Sequence, residues 1–210
     1  MSSSAHGSEP VNPASLAASP ATAGLLQLRS LPRRGLAAGG GHVREICGLR
    51  GPHGELHWML QLVELRGPVG ILHLAHEAAH VLAGIGGPQV DVGPGTGVGL
   101  RKERVLRHSG ALLELRRPRL RAAELSRILV LSSVQSRATP ALIFADLHGA
   151  SVLPDETRAV VVRSGQVSLG GSTAAAMEAL VLPPTETGDG AVARGPGIVA
   201  DDARVLMVVG

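Results

Sequence analysis

The chain has 210 residues, of which 44% are apolar, and its formal net charge is +3. A chain of this length and apolar content can bury one sizeable core, which excludes a wholly disordered protein. The small net charge does not by itself indicate nucleic acid or an anionic membrane as a partner. With one Trp, one Phe and no Tyr, the core lacks large aromatic side chains, and we expect it to be loosely packed.

The first 41 residues are rich in Ser and Ala and are predicted to form a flexible leader. The leader carries several Arg and one acidic residue, and in this it resembles an organelle transit peptide; a plain disordered tail is the alternative. Residues 42–182 are then predicted to form a single small domain. Residues 183–210 are predicted to form a loop and a C-terminal strand.

A single cysteine, Cys47, leaves the chain without an internal disulfide, which is typical of a reducing compartment. No apolar run reaches the roughly 18 residues that a transmembrane helix needs. We therefore expect an intracellular protein with no membrane segment. It would be cytoplasmic, or lie in an organelle if the leader is a transit peptide.

A near-repeat lies in the middle of the chain, with LRGPHGELH at 49–57 and LRGPVGILH at 65–73. Each copy has a Pro where a helix could begin, Pro52 and Pro68. The two copies therefore predict two helices folded back on each other, a helical hairpin. A strand is the rival interpretation for residues 55–65, since short apolar runs do not distinguish the two.

The second predicted helix carries the pattern His-Glu-x-x-His at residues 76–80. On a helix, side chains four residues apart lie on one face, so His76 and His80 could share a zinc ion. Glu77 could then polarise a zinc-bound water as general base. The alternative is the solvent-exposed polar face of an amphipathic helix.

The stretch LAHEAAHVL resembles the active-site helix of HExxH zinc metallopeptidases, the zincins, over about ten residues. The resemblance implies a zinc-dependent hydrolase of peptide or amide bonds, with His76 and His80 as metal ligands and Glu77 as the catalytic base. The longer pattern HExxHxxGxxH is absent, because Ala83 and Gly86 replace its Gly and its third His. Another subgroup takes its third ligand from a downstream Glu, and Glu103 is the residue at a suitable distance.

Residues 101–127 hold nine Arg or Lys and three Glu, a local charge of +6. Residues 100–117 and 119–134 are predicted to form two amphipathic helices separated at Pro118. The segment is the candidate contact for an acidic protein or for nucleic acid, through the anion-binding residues Arg116, Arg117, Arg119 and Arg121. The alternative function of the chain is therefore a non-enzymatic, loosely packed interaction protein. The cations are almost all Arg, a bias typical of GC-rich coding.

The C-terminal part changes character, with apolar runs that predict strands at 141–144, 159–162, 166–169 and 204–209. Ser164-Gly165 is predicted to be a hairpin turn, and residues 172–182 a short helix. The predicted fold class is α+β, with a helical middle region, a small β-rich C-terminal part and a flexible N-terminus.

Overall fold

The computed structural model describes residues 23–95, 97–118, 124–134, 140–183 and 195–210. These residues form sixteen β-strands and no helix. In chain order the strands are β1 Gly24–Gln27, β2 Arg34–Gly35, β3 Gly41–Arg50, β4 Leu56–Leu65, β5 Val69–His73, β6 Ala78–Gly86, β7 Val90–Val92, β8 Val98–Leu100, β9 Val105–Ser109, β10 Leu112–Arg116, β11 Ser126–Val134, β12 Ala141–Val152, β13 Thr157–Leu169, β14 Ser172–Ala175, β15 Glu178–Val181 and β16 Gly197–Val209.

The strands form three sheets. The central sheet has the order β2-β3-β4-β11-β6-β9, and the outer sheet has the order β5-β10-β7-β8. The C-terminal sheet has the order β1-β15-β13-β16-β12, with β14 paired to β13. All of the strand pairs within the sheets are antiparallel.

The central sheet is buried on both faces. One face packs Val63, Leu82 and Val130 against Leu113 and Leu115 of the outer sheet. We call the central and outer sheets together the N-terminal sandwich. The opposite face of the central sheet packs against the C-terminal sheet through a second apolar cluster. A third cluster, built around Val160, Val162, Val205 and Met207, fills the far side of the C-terminal sheet.

The predicted helical hairpin is wrong, because both copies of the near-repeat are turns between strands. In the first copy, residues 51–55 turn the chain from β3 into β4, and Gly54 has a positive φ of 82°. In the second copy, residues 66–68 lie between β4 and β5. The proline of each copy lies in the turn, where its fixed φ also fits and where no ladder N–H is needed.

The predicted helix that contains His80 is also a strand. Residues Ala78, His80 and Leu82 of β6 are buried, while the intervening Ala79 and Val81 are only partly buried. This alternation has the period of two that defines a strand with one face in the core. A helical projection instead places His80 on a polar stripe with His76. The helices predicted at 100–117 and 119–134 are replaced by β8 to β11 in the described residues, and residues 119–123 lie outside them.

The four strands predicted in the C-terminal part are confirmed, since they lie within β12, β13 and β16. The predicted turn at Ser164-Gly165 is a bulge inside β13, with Gly165 at a φ of 74°. The predicted helix at 172–182 is the pair of short strands β14 and β15. The α+β fold class is therefore wrong, and the described part of the chain is all-β.

The predicted leader and C-terminal segment both contain strands of the C-terminal sheet. β1 pairs with β15, and β16 pairs with both β12 and β13. Residues 1–22 of the leader lie outside the described residues. Within the described ranges, no helix is long and apolar enough to cross a membrane.

Candidate functional site

A row of four side chains, three of them polar, crosses the central sheet on its face toward the outer sheet. The strand registers place Met59 of β4 opposite Ser132 of β11, Ser132 opposite His80 of β6, and His80 opposite His108 of β9. Because alternate residues of a strand share a face, all four lie on the face that buries Val63 and Leu82. The row is an interruption in an otherwise apolar layer.

His80 and Ser132 are the most deeply buried residues of this row, each with 1% of the residue exposed. The Nδ1 of His80 lies 2.9 Å from the hydroxyl oxygen of Ser132. Its Nε2 is buried and has no hydrogen-bond partner among the described residues. Buried polar atoms are nearly always hydrogen-bonded, so an unpartnered one requires a physical reason.

Burial lowers the pKa of His80 below its usual value of 6.5, and the nearby imidazole of His108 lowers it further. The two ring centroids are 6.1 Å apart. His80 is therefore neutral at pH 7, with a single N–H. The backbone carbonyl of Ala75 acts in the opposite direction, because its partial negative charge favours the protonated ring; it does not meet the geometry of a hydrogen bond to Nε2. If the Ser132 hydroxyl donates to Nδ1, the N–H of His80 lies at Nε2.

A cleft of about 630 Å³ opens at this end of the central sheet. It is lined by Glu55, Leu56, His57, Ala75, His76, Glu77 and Val134. His57 and Val134 lie two residues along their strands from Met59 and Ser132, and so on the same face. Ala75 lines the cleft and its carbonyl acts on the ring of His80, so the cleft lies near His80, although His80 is not among the lining residues.

The cleft carries two carboxylates and two imidazoles. The pKa of the Glu55 carboxyl group is lowered, first of all by a hydrogen bond from its own backbone amide, and desolvation opposes this effect. The backbone amide of His53 and the ring of His57 lower this pKa further. Glu55 Oε1 lies 3.7 Å from Nε2 of His57. His76 and Glu77 are both exposed in the turn that precedes β6. The described lining of the cleft thus holds two carboxylates and no lysine or arginine.

The sequence-predicted zinc ligands are distributed over different parts of the structure. His76 lies in the exposed turn and His80 in the buried row. Glu103 lies between β8 and β9, where its Oε1 accepts a 2.9 Å hydrogen bond from Nη2 of Arg163. No group of three or more His, Cys, Asp or Glu side chains in the described residues is placed to hold a metal ion.

The sequence-predicted anion-binding arginines do not form a common surface in the described residues. Arg116 donates to Oε1 of Glu114. Arg117 is buried and donates to the backbone carbonyl of Arg66. Arg119 and Arg121 lie outside the described residues. The described part of this segment forms strands in place of the predicted basic helix. The predicted contact with an acidic protein or with nucleic acid therefore loses its structural basis.

Sequence reasoning missed Ser132 and Gln61. Gln61 is buried on the same face as Met59, and its Oε1 has no partner among the described residues. Both residues interrupt apolar runs, MLQLVEL around Gln61 and ILVLSSV around Ser132. A polar residue within an apolar strand is the signal that could have indicated them, because burying such a group costs free energy unless it is paired.

Comparison with solved structures identifies the architecture. HutD from Pseudomonas fluorescens SBW25 is similar over 89% of this chain and 97% of its own, with a TM-score of 0.63 and 16% identity. A vicilin from Solanum melongena, described as having different anionic ligands in structurally similar pockets, is similar over 88% and 83%, with a TM-score of 0.57 and 12% identity. The chain shares the all-β architecture of these proteins. Because the sequence identities are this low, the similarity establishes the fold alone.

Bacterial pirin from Escherichia coli, solved in complex with nickel(II), is similar over 90% of this chain and 98% of its own. Its TM-score is 0.58 and its identity 11%. Metal binding therefore occurs among the structural neighbours. No protein-family model matches this chain, and no curated protein matches its sequence.

The fold overturns the resemblance to zincins. In that family the two histidines lie on consecutive turns of one helix, which is how they reach a single zinc ion. Here residues 76–80 run from a turn into β6, and alternation along the strand gives His80 a buried position apart from the exposed His76. The prediction of an HExxH zinc hydrolase is therefore wrong.

Proposed function

We propose that the protein binds a small organic molecule at the end of the N-terminal sandwich. A carbonyl or carboxylate oxygen of this molecule accepts a hydrogen bond from the Nε2–H of His80. The observation that supports the proposal is the buried, unpartnered Nε2 of His80 beside a cleft of about 630 Å³. A cleft of this size falls within the range of small-molecule sites, which is about 300–1,000 Å³.

The energetics of the core favour a binding role over a structural one. A buried donor without a partner costs about 1–3 kcal/mol, so a leucine at position 80 would suit the core better. A ligand that accepts the Nε2–H removes this cost when it binds. Residues held at the expense of stability are typical of functional sites. Ser132 holds the ring at Nδ1 and acts as a positioning residue.

The distribution of buried polar residues supports a site in the N-terminal sandwich, although Arg158 and Arg163 of β13 each have one buried side-chain nitrogen without a partner among the described residues. Eight of the nine buried polar or charged residues of the described chain precede residue 134. The exception is Thr157, whose hydroxyl donates to the carbonyl of Pro154. The core on the far side of the C-terminal sheet is entirely apolar. The vicilin holds different anionic ligands in structurally similar pockets, which supports the binding of small ligands in this fold.

Zinc binding stays a separate proposal, which the nickel complex of the pirin neighbour supports only as metal binding in this fold, and the described positions of the predicted ligands His76, His80 and Glu103 do not bring them together. The donor set on the face of His80 consists of two imidazoles, His80 and His108, and falls short of the three protein ligands usual in catalytic zinc sites. No step of the proposed binding passes through a metal. The zinc-to-protein ratio of the purified chain, beside a His80→Ala control, tests the proposal.

The experiment for ligand binding is a thermal-shift screen of the full chain against small carboxylic acids, amides and amino acids, followed by calorimetry of each hit. We expect His80→Gln to weaken binding of a true ligand at least tenfold, since a lost hydrogen bond in a dry site costs about 1–3 kcal/mol. His53→Gln, at an exposed position in the β3–β4 turn, is the matched control. Equal affinity of the wild type and His80→Gln for every hit contradicts the proposal.

A further inference from the structure

A second cleft, of about 490 Å³, lies between the central and outer sheets and shares no lining residue with the first. Residues 34–37, which begin as β2, line one side of it, and residues 71–73 of β5 line the other. Both β2 and β5 are edge strands of their sheets. The second cleft is therefore the gap between two sheet edges.

The gap opens because the two segments separate on one side of a single bridge. Ala37 and Ile71 form an isolated antiparallel bridge and exchange backbone hydrogen bonds of 3.0 and 2.9 Å. Beyond the bridge, Arg34 and Gly35 pair with β3, whereas His73 pairs with β10. Alternate residues of a strand direct their backbone groups to opposite sides, so the N–H groups of Gly35 and His73 point toward the gap, on the side of the bridge.

The inner end of the second cleft is apolar and closed. Leu36 and Leu72 are buried in the cluster between the central and outer sheets. Leu36 packs on Gly70 so closely that a Cβ at position 70 would lie 2.7 Å from its Cδ1. The carbonyl of Gly40 accepts two backbone hydrogen bonds, of 2.8 and 2.7 Å, from residues 66–67, which fixes this wall. A fixed apolar floor suits a short hydrocarbon chain.

The mouth of the second cleft carries cationic and N–H donor groups. Arg34 lies on the same strand face as Leu36, toward the outer sheet, and forms no ion pair with another described residue. His73 lines the opposite side and offers a ring N–H in either protonation state. The described lining contains no acidic residue, and Glu114 of the neighbouring β10 is engaged by Arg116. The mouth therefore favours an anion.

We propose that the second cleft binds a small organic carboxylate with a short apolar chain. The carboxylate accepts hydrogen bonds from Arg34 and His73 at the mouth, and the chain lies against Leu36 and Leu72. The observation that carries the proposal is a gap of about 490 Å³ with donors at its mouth and an apolar floor. This volume falls within the range of small-molecule sites, about 300–1,000 Å³. The proposal goes beyond the function proposed above and does not depend on His80.

The test compares hexanoate with hexanamide, which has the same chain length and no charge, by ¹⁵N NMR titration of the full chain at pH 7 and low salt. We expect hexanoate to bind at least about fivefold more tightly, because charge-assisted hydrogen bonds to a carboxylate are stronger than neutral ones. The largest shift changes should occur at the amides of Gly35 and His73. Arg34→Gln should weaken hexanoate binding about three- to tenfold, a range that allows for solvent screening of an exposed arginine. Arg33→Gln, at the adjacent exposed position outside the cleft, is the matched control and should keep the wild-type affinity.

Each other outcome contradicts the proposal. Equal binding of hexanoate and hexanamide shows that the charge is not recognised. Equal losses in Arg33→Gln and Arg34→Gln show general attraction to a basic surface, and unchanged amide shifts at about 20 mM hexanoate show that the cleft holds no such ligand. His80→Gln should leave hexanoate binding unchanged. A loss in that variant would assign the probe to the other site and overturn the proposal for the second cleft.

Discussion

Replacement of Glu64 by Gln tests how the structure stabilises a buried charge. Glu64 of β4 is buried between the central and C-terminal sheets and meets three partners. Its Oε2 lies 2.6 Å from Nε2 of His42 and 3.3 Å from Nε of Arg44, and its Oε1 lies 3.3 Å from Nε of Arg127. Arg44 also donates to the backbone carbonyl of Leu31, so the network ties the 28–33 segment to the central sheet.

The expected cost follows from these contacts. Hydrogen bonds to a charged group contribute about 1.5–3 kcal/mol each. Glutamine keeps one acceptor oxygen and the same shape, so Glu64→Gln loses about two of the three contacts. Arg127 is partly exposed, and solvent screens its share. We expect a loss of about 3 kcal/mol in the free energy of unfolding, equivalent to roughly 6–12 °C in Tm for a chain of this size.

Urea denaturation followed by circular dichroism measures this loss, and Glu45→Gln at an exposed position of β3 is the control. Desolvation alone would raise the pKa of Glu64, but hydrogen bonds from His42, Arg127 and Arg44 outweigh it and lower the pKa below 4.5. A lowered folded pKa gives stability that is complete above pH 4.5 and is lost as the pH falls through the folded value. The difference between wild type and variant should therefore shrink below pH 4.5. A loss under 1 kcal/mol at pH 7 would refute the reasoning.

Three further changes test other parts of the structure. Gly84→Ala places a Cβ 2.2 Å from the backbone oxygen of Arg101 and should lower the free energy of unfolding by about 2–3 kcal/mol in urea denaturation. The control Gly35→Ala has open space at its Cβ and should change this free energy by under about 0.5 kcal/mol; equal effects of the two variants would contradict the packing at Gly84. Leu129→Ala, at a fully buried position between the central and C-terminal sheets, should cost about 3–5 kcal/mol in the same assay, and a cost under 1 kcal/mol would show that this layer is not packed. Ser132→Ala should weaken ligand binding in calorimetry about three- to tenfold by releasing Nδ1 of His80, and unchanged affinity would exclude the positioning role.

The C-terminal strands could be predicted from the sequence because their apolar runs are rich in valine. The run AVVV at 159–162 and the run RVLMVV at 204–209 combine β-branched residues with nearby turn residues. Both segments form the middle of the C-terminal sheet, where they are buried on both faces. Burial on both faces explains why they are continuous apolar runs without alternation.

The central sheet could not be predicted in the same way, because its strands also satisfy a helical pattern. In AAHVLAGIG the residues Ala78, His80 and Leu82 alternate with their neighbours, but small alanines and glycines leave the period ambiguous. The pairing of β6 with β11 and β9, which are distant in the sequence, makes this segment a strand. No local pattern in the sequence reveals that pairing. The prolines of the near-repeat strengthened the error, since proline is favoured both at the start of a helix and in turns.

The sequence singled out residues that lie at or near the cleft, but it assigned them to the helix of a zinc hydrolase, which the structure does not contain in its described residues. His76, Glu77 and His80 do lie at or beside the cleft, because the turn before β6 brings the first two to its lining. Their roles depend on which strand neighbours they meet, and the decisive neighbour of His80 is Ser132, 52 residues away in the chain. Sequence spacing alone cannot reveal such a contact.

The ¹⁵N chemical shifts of the His80 imidazole, recorded with and without a saturating hit from the small-molecule screen, test the central claim most directly. The account predicts a protonated Nε2 and an unprotonated Nδ1 in the free protein at pH 7, consistent with the lowered pKa of this group. It also predicts a change at Nε2 on addition of the ligand, with His53 unaffected. An unprotonated Nε2, or shifts at His80 that no tested ligand changes, would contradict the claim that this nitrogen binds a ligand oxygen.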